Sequence, residues 1–195
     1  LNHDTEGRIT NLAISAVTST GDIIHLRKHN KMKLNEKVDE NIIESEIINA
    51  IDKYKELKKY KPENLFVYRD GLFLEDTVYI ENIVKNLGIN PILIEVNKNS
   101  RVMTSKESKN SLYKMEEGRY VFYPFNYLKQ KGVEINIVKN GSEYSNEKIV
   151  RFSVAMAHIY HGSPYSNIKL PYPVHIADKV ARTDYEWRLY IPYLK

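Results

Sequence analysis

Two short, uninterrupted apolar runs limit what this chain can become. Leu65-Phe66-Val67-Tyr68 and Ile92-Leu93-Ile94-Glu95-Val96 lack the regular alternation of a strand with one wet face, so each reads as a strand buried on both faces of a sheet. Between them the stretch from about Glu75 to Leu87 reads as a helix, closed by Gly88 as its C-cap. Strand, helix, strand in that order predicts a right-handed parallel βαβ unit. The chain of 195 residues is one domain with room for a substantial core, and the expected class is α/β, a mixed sheet flanked by helices.

The flanking segments extend this pattern. Alternation through Ile9, Leu12, Ile14, Ala16 and Val17, a turn at Thr20 to Asp22, and then Ile23, Ile24 and Leu26 predict a hairpin. A polar, basic loop is expected from Lys28 to about Glu36. From Val38 the period becomes helical, with Ile42, Ile43, Ile47, Ala50, Ile51, Tyr54 and Leu57 on one face until Pro62. The opposite face, with Lys53, Lys55, Lys58, Lys59 and Lys61, reads as a solvated helix surface. Asn97 to Ser111 reads as an exposed basic loop, and Tyr120 to Phe125 and Val133 to Val138 as strands. A helix is expected from about Asn146 to Tyr160, then a linker from His161 to Pro173 and a last helix from Val174 to about Arg182. The aromatic tail, Trp187 to Lys195, is expected to pack on the body.

Composition narrows the chemistry. There is no cysteine, so disulfides and thiolate metal sites are excluded; any metal would use oxygen or imidazole ligands, which favours magnesium or manganese. No apolar run approaches the roughly 20 residues needed to span a bilayer, no signal-peptide pattern is present, and a cytoplasmic setting is expected. The formal net charge of +4 is compatible with a nucleic-acid partner without requiring one.

Three acidic residues stand where chemistry could collect. Asp70 ends a buried strand directly before a glycine, where ligands gather in open α/β sheets, although an Asp-Gly turn serves equally well to reverse a chain. Asp178, in Pro-Val-His-Ile-Ala-Asp, and Glu36, before the long helix, read singly as a solvated helix carboxylate and a residue favourable to the helix dipole. Paired divalent ions about 3.5–4 Å apart hydrolyse phosphodiesters, and such hard cations take carboxylates from several elements. Periodicity does not establish that these three converge.

Longer motifs supply that link. Val67-Tyr68-Arg69-Asp70-Gly71 resembles the Arg-Asp-Gly strand end of Argonaute PIWI domains. Ile94-Glu95-Val96-Asn97-Lys98-Asn99-Ser100-Arg101-Val102 is similar to that family's following strand with its terminal arginine. Pro171-Tyr172-Pro173-Val174-His175-Ile176-Ala177-Asp178 is similar to the proline-flanked motif carrying its last catalytic residue, and Met156-Ala157-His158-Ile159-Tyr160 lies where the family has a comparable helix. The motifs fall in order along essentially the whole chain. Asn97-Lys98-Asn99-Ser100 in place of a Lys-Arg-His-His run points to the prokaryotic branch.

The resemblance implies an RNase H-like fold and a guide-directed endonuclease using magnesium or manganese. The family's site is an Asp-Glu-Asp-X tetrad. Asp70 corresponds to its second aspartate, Asp178 to X, and Glu36 best matches the glutamate delivered by a loop, with Glu40 as the fallback. The first aspartate is expected immediately upstream of Leu1, Asp4 being the alternative within the chain but lying in a turn; the chain accordingly reads as residues 1–195 of a PIWI domain lacking its first strand and the rest of its parent. Asp70 and Asp178 would hold metal. Lys98, Arg101 and Arg182 correspond to positions near guide-strand phosphates, contacts that position a strand without reading its sequence. The implied partners are a guide strand of RNA or DNA, a complementary target strand and the remaining Argonaute domains. His158, His161 and His175 read as structural, Tyr165 and Trp187 as packing residues. A catalytically silent guide-binding Argonaute and a guide-independent RNase H-like nuclease are the competing readings.

Overall fold

The two apolar runs form neighbouring parallel strands, β4 (Asn64–Asp70) and β5 (Asn90–Asn97), joined by helix α2 (Thr77–Asn86). The computed structural model describes residues 2–3, 9–33, 37–98, 100–103, 111–124, 131–159 and 168–182. Within them, β1 (Asn2–His3), β2 (Ile9–Val17) and β3 (Ile23–Lys33) make an antiparallel sheet, followed by α1 (Glu40–Lys58). Strands β6 (Ser111–Glu116), β7 (Arg119–Tyr123) and β8 (Val133–Asn140) join the βαβ unit in a five-stranded mixed sheet of order β4-β5-β8-β7-β6. Helices α3 (Asn146–Met156) and α4 (Tyr172–Arg182) complete the described elements. No helix among the described residues is long and apolar enough to cross a membrane.

Two expectations change. Strand β3 continues as far as Lys33 into the segment expected to be a basic loop, pairing Lys28 with Ala13 and Lys33 with Ile9; the polar residues from Lys28 to Lys33 belong to a long strand, not to a turn. Ser111–Glu116, where no strand was expected, is edge strand β6, largely exposed and paired with β7 around Gly118. Charged, exposed edge strands carry little apolar signal and resist further pairing. The helices begin and end within a few residues of expectation, α1 stopping at left-handed Lys59, ahead of Pro62, and α3 at Met156.

The alternation of β4 determines what lies on each side of the sheet. Phe66 and Tyr68 pack into the cluster of Ile92, Ile94, Val96, Ile149 of α3 and Val174 of α4. Leu65 packs with Ile51 of α1 and Val84 of α2. With a period of two, Asp70 falls on the Phe66–Tyr68 side, the side of α4. Helix α4 also reaches the smaller sheet, where Val180 and Ala181 pack with Ala13 and Leu26 and Pro173 accepts a 2.7 Å hydrogen bond from the Ser15 hydroxyl. It therefore spans both sheets.

An unexpected polar cluster fastens α1 to β3. Glu46, only 2% exposed at its side chain, accepts from His25 at 2.5 Å, Arg27 at 3.1 Å and His29 at 3.2 Å. Burial pushes the Glu46 carboxyl up, but the hydrogen bonds and charges of His25 and Arg27 outweigh it and hold the acid below its ordinary value. The folded state thus favours the carboxylate, a contribution present above the ordinary carboxyl range and lost as pH falls through the lowered folded value. Glu46→Ala is expected to cost about 1–3 kcal/mol at neutral pH, chiefly by taking the acceptor from half-buried His25 while exposed Arg27 turns to water, and the gap between wild type and Glu46→Gln is expected to shrink on acidification, both read by urea denaturation across pH.

Candidate active site

Asp70 and Asp178 converge. Asp178 stands one helical turn beyond Val174 on α4, so the stripe that puts Val174 into the core carries the aspartate past the apolar cluster to the end of β4. Lys98 follows β5, two residues beyond the Val96 that pairs with Asp70. Its ammonium donates to Asp70 Oδ2 at 2.8 Å and to Asp178 Oδ1 at 2.7 Å. The two oxygens therefore lie at most about 5.5 Å apart, those two bonds laid end to end. Arg182 adds a contact to Asp178 Oδ1 at 3.1 Å, one turn further along α4.

Two like charges about 5.5 Å apart repel by roughly 3 kcal/mol at an effective dielectric of about 20. Lys98 offsets that repulsion. Burial raises Asp178, but the hydrogen bond and charge of Lys98, helped by Arg182, hold it below its ordinary value. Burial likewise lowers Lys98, yet its two aspartate partners raise it overall. Both ions are held in charged form.

Acidic side chains fix the surrounding loops. Asp70 is followed by Gly71 at φ +93°, a left-handed conformation natural to glycine, whose N–H donates to the Val96 carbonyl at 3.0 Å. Glu95 of β5 accepts from the Phe73 amide at 2.8 Å and from Asn136 at 2.9 Å. Glu75, 2% exposed, accepts from the Val38 amide at 2.9 Å, the Leu74 amide at 3.1 Å and Arg69 Nε at 3.3 Å. It thereby ties the entrance of α1 to the residue next to Asp70. Beyond β5, buried Ser100 donates to Glu134 and accepts from the Val102 amide, fixing the loop that carries Lys98 and Arg101.

The other expected residues are distributed as follows. Lys98 and Arg182 were both expected beside guide phosphates; in the structure Lys98 bridges the two carboxylates and Arg182 pairs with Asp178. Arg101 is exposed. Glu40 opens α1 and pairs with Lys37 at 3.5 Å. Glu36, Asp4, His161, Tyr165 and Trp187 lie outside the described residues. His158 meets the Phe122 ring edge-on. Burial, reinforced by Lys179 and opposed by Asp178, pushes His175 down to about 4. Among the described residues no three acidic or histidine side chains gather as a metal site; the acidic centre there is a pair.

A cavity of about 640 Å³ is lined by Asp70 and Asp178 together with Leu12–Ser19, mostly of β2, and Glu63–Asp70, mostly of β4. No described strand covers the edge of β4 away from β5, or the edge of β2 away from β3 beyond Asn11. The lining is largely apolar, with Ile47 of α1 and Phe152 of α3 among its residues. Around the acids, Lys169 donates to the Lys98 carbonyl at 2.6 Å; burial and the charges of Lys131 and Lys98 push its ammonium down. Cations thus crowd one another beside the acidic pair.

Comparison with known proteins agrees with this architecture. A protein named argonaute from Marinitoga piezophila is 46% identical over 193 residues, covering 99% of this chain. One of the same name from Marinitoga hydrogenitolerans is 44% identical over 195 residues, covering 100% of it. The chain is Argonaute-family sequence throughout. It spans about 30% of the length of each of these relatives. The crystal structure of Marinitoga piezophila Argonaute with 5′-OH guide RNA and target DNA superposes with a TM-score of 0.88 at 45% identity, over 98% of this chain and 30% of that one. Clostridium butyricum Argonaute with a guide DNA and target DNA shares the fold, at a TM-score of 0.70 and 18% identity over 92% of this chain and 27% of that one. No family model matches the chain.

In this Argonaute segment the positions flagged from sequence give the acidic pair, while the supporting acids went unflagged. Glu46 had a readable signal, since it sits on the stripe of Ile43, Ile47 and Ala50, where an acid needs a partner. Glu75 had none beyond its place among Leu72, Phe73 and Leu74. Glu75→Ala, which takes the acceptor from the Val38 and Leu74 amides and the carboxylate from Arg69, is expected to lose about 3–5 kcal/mol of stability in urea unfolding, and Glu75→Gln, which keeps one acceptor oxygen, to lose less.

Proposed function

We propose that this chain is the catalytic, PIWI part of a guide-directed endonuclease that hydrolyses a target-strand phosphodiester bond. The observation that carries the reading is the pair of aspartates from β4 and α4 gathered on one positive centre. Two carboxylates from separate elements, already oriented toward a common cation, are the hard oxygen donors that magnesium or manganese takes. Asp70 and Asp178 would hold that metal. When bound, divalent metal activates a water and stabilises the leaving oxygen of an in-line displacement.

The chain's own residues do the positioning. Gly71 and Glu95 fix the turn after Asp70, and α4, seated on both sheets, fixes Asp178. Glu36 would complete the acidic shell; the amide of Val38, two residues on, is anchored by Glu75 to the strand that bears Asp70. For the first aspartate we propose a strand seated in the cavity between the open edges of β2 and β4, joining the two sheets and bringing its acid to the cavity that Asp70 and Asp178 line. Arg101, Arg182 and Lys98 would meet guide phosphates, and the crowding of Lys98, Lys131 and Lys169 is relieved by a polyanion.

The relative's complex supports an RNA guide with a 5′ hydroxyl and a DNA target; the remaining Argonaute domains would be intramolecular partners, and the proposed setting is cytoplasmic. A guide-binding protein without cleavage is the second reading, favoured by Lys98 already neutralising the acids.

The intact protein, loaded with a 5′-OH guide RNA and manganese, is expected to cut a labelled complementary DNA at one guide-determined position, and Asp70→Asn or Asp178→Asn to abolish the cut while retaining target binding. Binding with no cut in wild type would establish the second reading. Arg101→Ala is expected to weaken binding evenly across sequences and to reduce the slope of log affinity against log salt by about one, measured by filter binding at several salt concentrations.

A further inference from the structure

We infer that Lys98 is a built-in stand-in for a metal cation: it holds Asp70 and Asp178 together while no divalent ion is bound, and the arriving ion displaces it. The inference rests on the nuclease reading and adds a competitor to its metal site. Three observations carry it. The ammonium touches both carboxylates, at 2.8 and 2.7 Å, so it occupies the space between them that a shared ion requires. An ion cannot take Asp70 Oδ2 and Asp178 Oδ1 together while both bonds to Lys98 persist.

The second observation is that the anchor is fixed and the charge is not. The carbonyl of Lys98 is held by Lys169 at 2.6 Å and the following loop by Ser100, whereas the ammonium rides on a flexible four-carbon stem. Lys98 can therefore withdraw without moving either aspartate. The third is that the ion pair is 17–27% exposed at its three side chains, so water and ions reach it. Arg182, which among the described residues bonds to Asp178 and not to Asp70, cannot substitute as a bridge from its observed position. Once released, the Lys98 ammonium lies beside the metal-bound acids, where a phosphate would be its next partner. Its expected phosphate contact and its observed carboxylate contacts then belong to two states of one residue.

The test is manganese binding to the intact protein without nucleic acid, followed by electron paramagnetic resonance, alongside thermal unfolding with and without manganese. Lys98→Met is expected to bind manganese about tenfold more tightly, the order of effect that a neighbouring full charge has on an ionisation equilibrium. It is also expected to unfold at lower temperature than wild type without metal, and to regain that loss when manganese is added. Lys98→Arg, which keeps the charge, is expected to retain wild-type affinity and guards against misfolding as the cause of any change. Equal or weaker manganese binding by Lys98→Met would overturn the stand-in role and leave the nuclease reading intact. If neither wild type nor Lys98→Met binds manganese, or if Asp70→Asn and Asp178→Asn bind it as wild type does, the metal reading falls and this inference with it.

Discussion

Two carboxylates at most about 5.5 Å apart must be held against their own repulsion, and much of the molecule serves that end. The alternation of β4 aims Asp70 at the side where α4 lies, and α4 is pinned from two directions. Val174 is buried in the core of the five-stranded sheet, while Val180 and Ala181 are buried against Ala13 and Leu26 of the smaller one. A helix resting on one sheet alone could shift and relieve the repulsion by moving Asp178 away. Seated on both, it keeps the acid in place, and the strain is answered by a counter-charge instead of by displacement.

The parts of this arrangement legible in the sequence are those with an apolar period. The runs at Leu65–Tyr68 and Ile92–Val96 gave their strands directly, although only the second is deeply buried as expected; the first lies half-buried in β4, at the edge of the described sheet. Asp70 was visible as a strand-end acid and Asp178 as a helix acid, but not their meeting, which depends on how α4 crosses two sheets and leaves no local periodicity. Resemblance to Argonaute sequences supplied it. The remainder was hidden where polar residues make regular structure. Strand β6 is an exposed edge, and β3 carries His25 and Arg27 and continues into His29, which as sequence falls in the expected loop. They are strand residues whose polarity is matched by Glu46 across the interface with α1. A polar stretch is therefore no argument against a strand when a facing helix carries the complementary charge.

The acids of the fold fall into two kinds, and the contrast separates architecture from chemistry. Glu46 and Glu75 are each 2% exposed and surrounded by several fixed donors, among them a backbone amide for Glu75 and two histidines with an arginine for Glu46. Both carboxylates are sealed from solvent even where a donor is not, Arg27 being 55% exposed, so neither acid offers a face to an incoming ion. Asp70 and Asp178 are 19% and 17% exposed and share Lys98, a cation on a flexible stem, with Arg182 adding a contact to Asp178. Their backbones are as firmly held as those of the structural acids, but their ionic partner is not. Rigid carboxylates with an exchangeable counter-ion are what a metal-dependent site needs, since geometry is preserved while the cation changes. A purely structural ion pair gains nothing from that separation, because surface-accessible pairs contribute little to stability. The partial exposure of the Asp70 and Asp178 carboxylates, set beside the sealed carboxylates of Glu46 and Glu75, is thus a reason to assign this bridge to function and the other two acids to the scaffold that holds it.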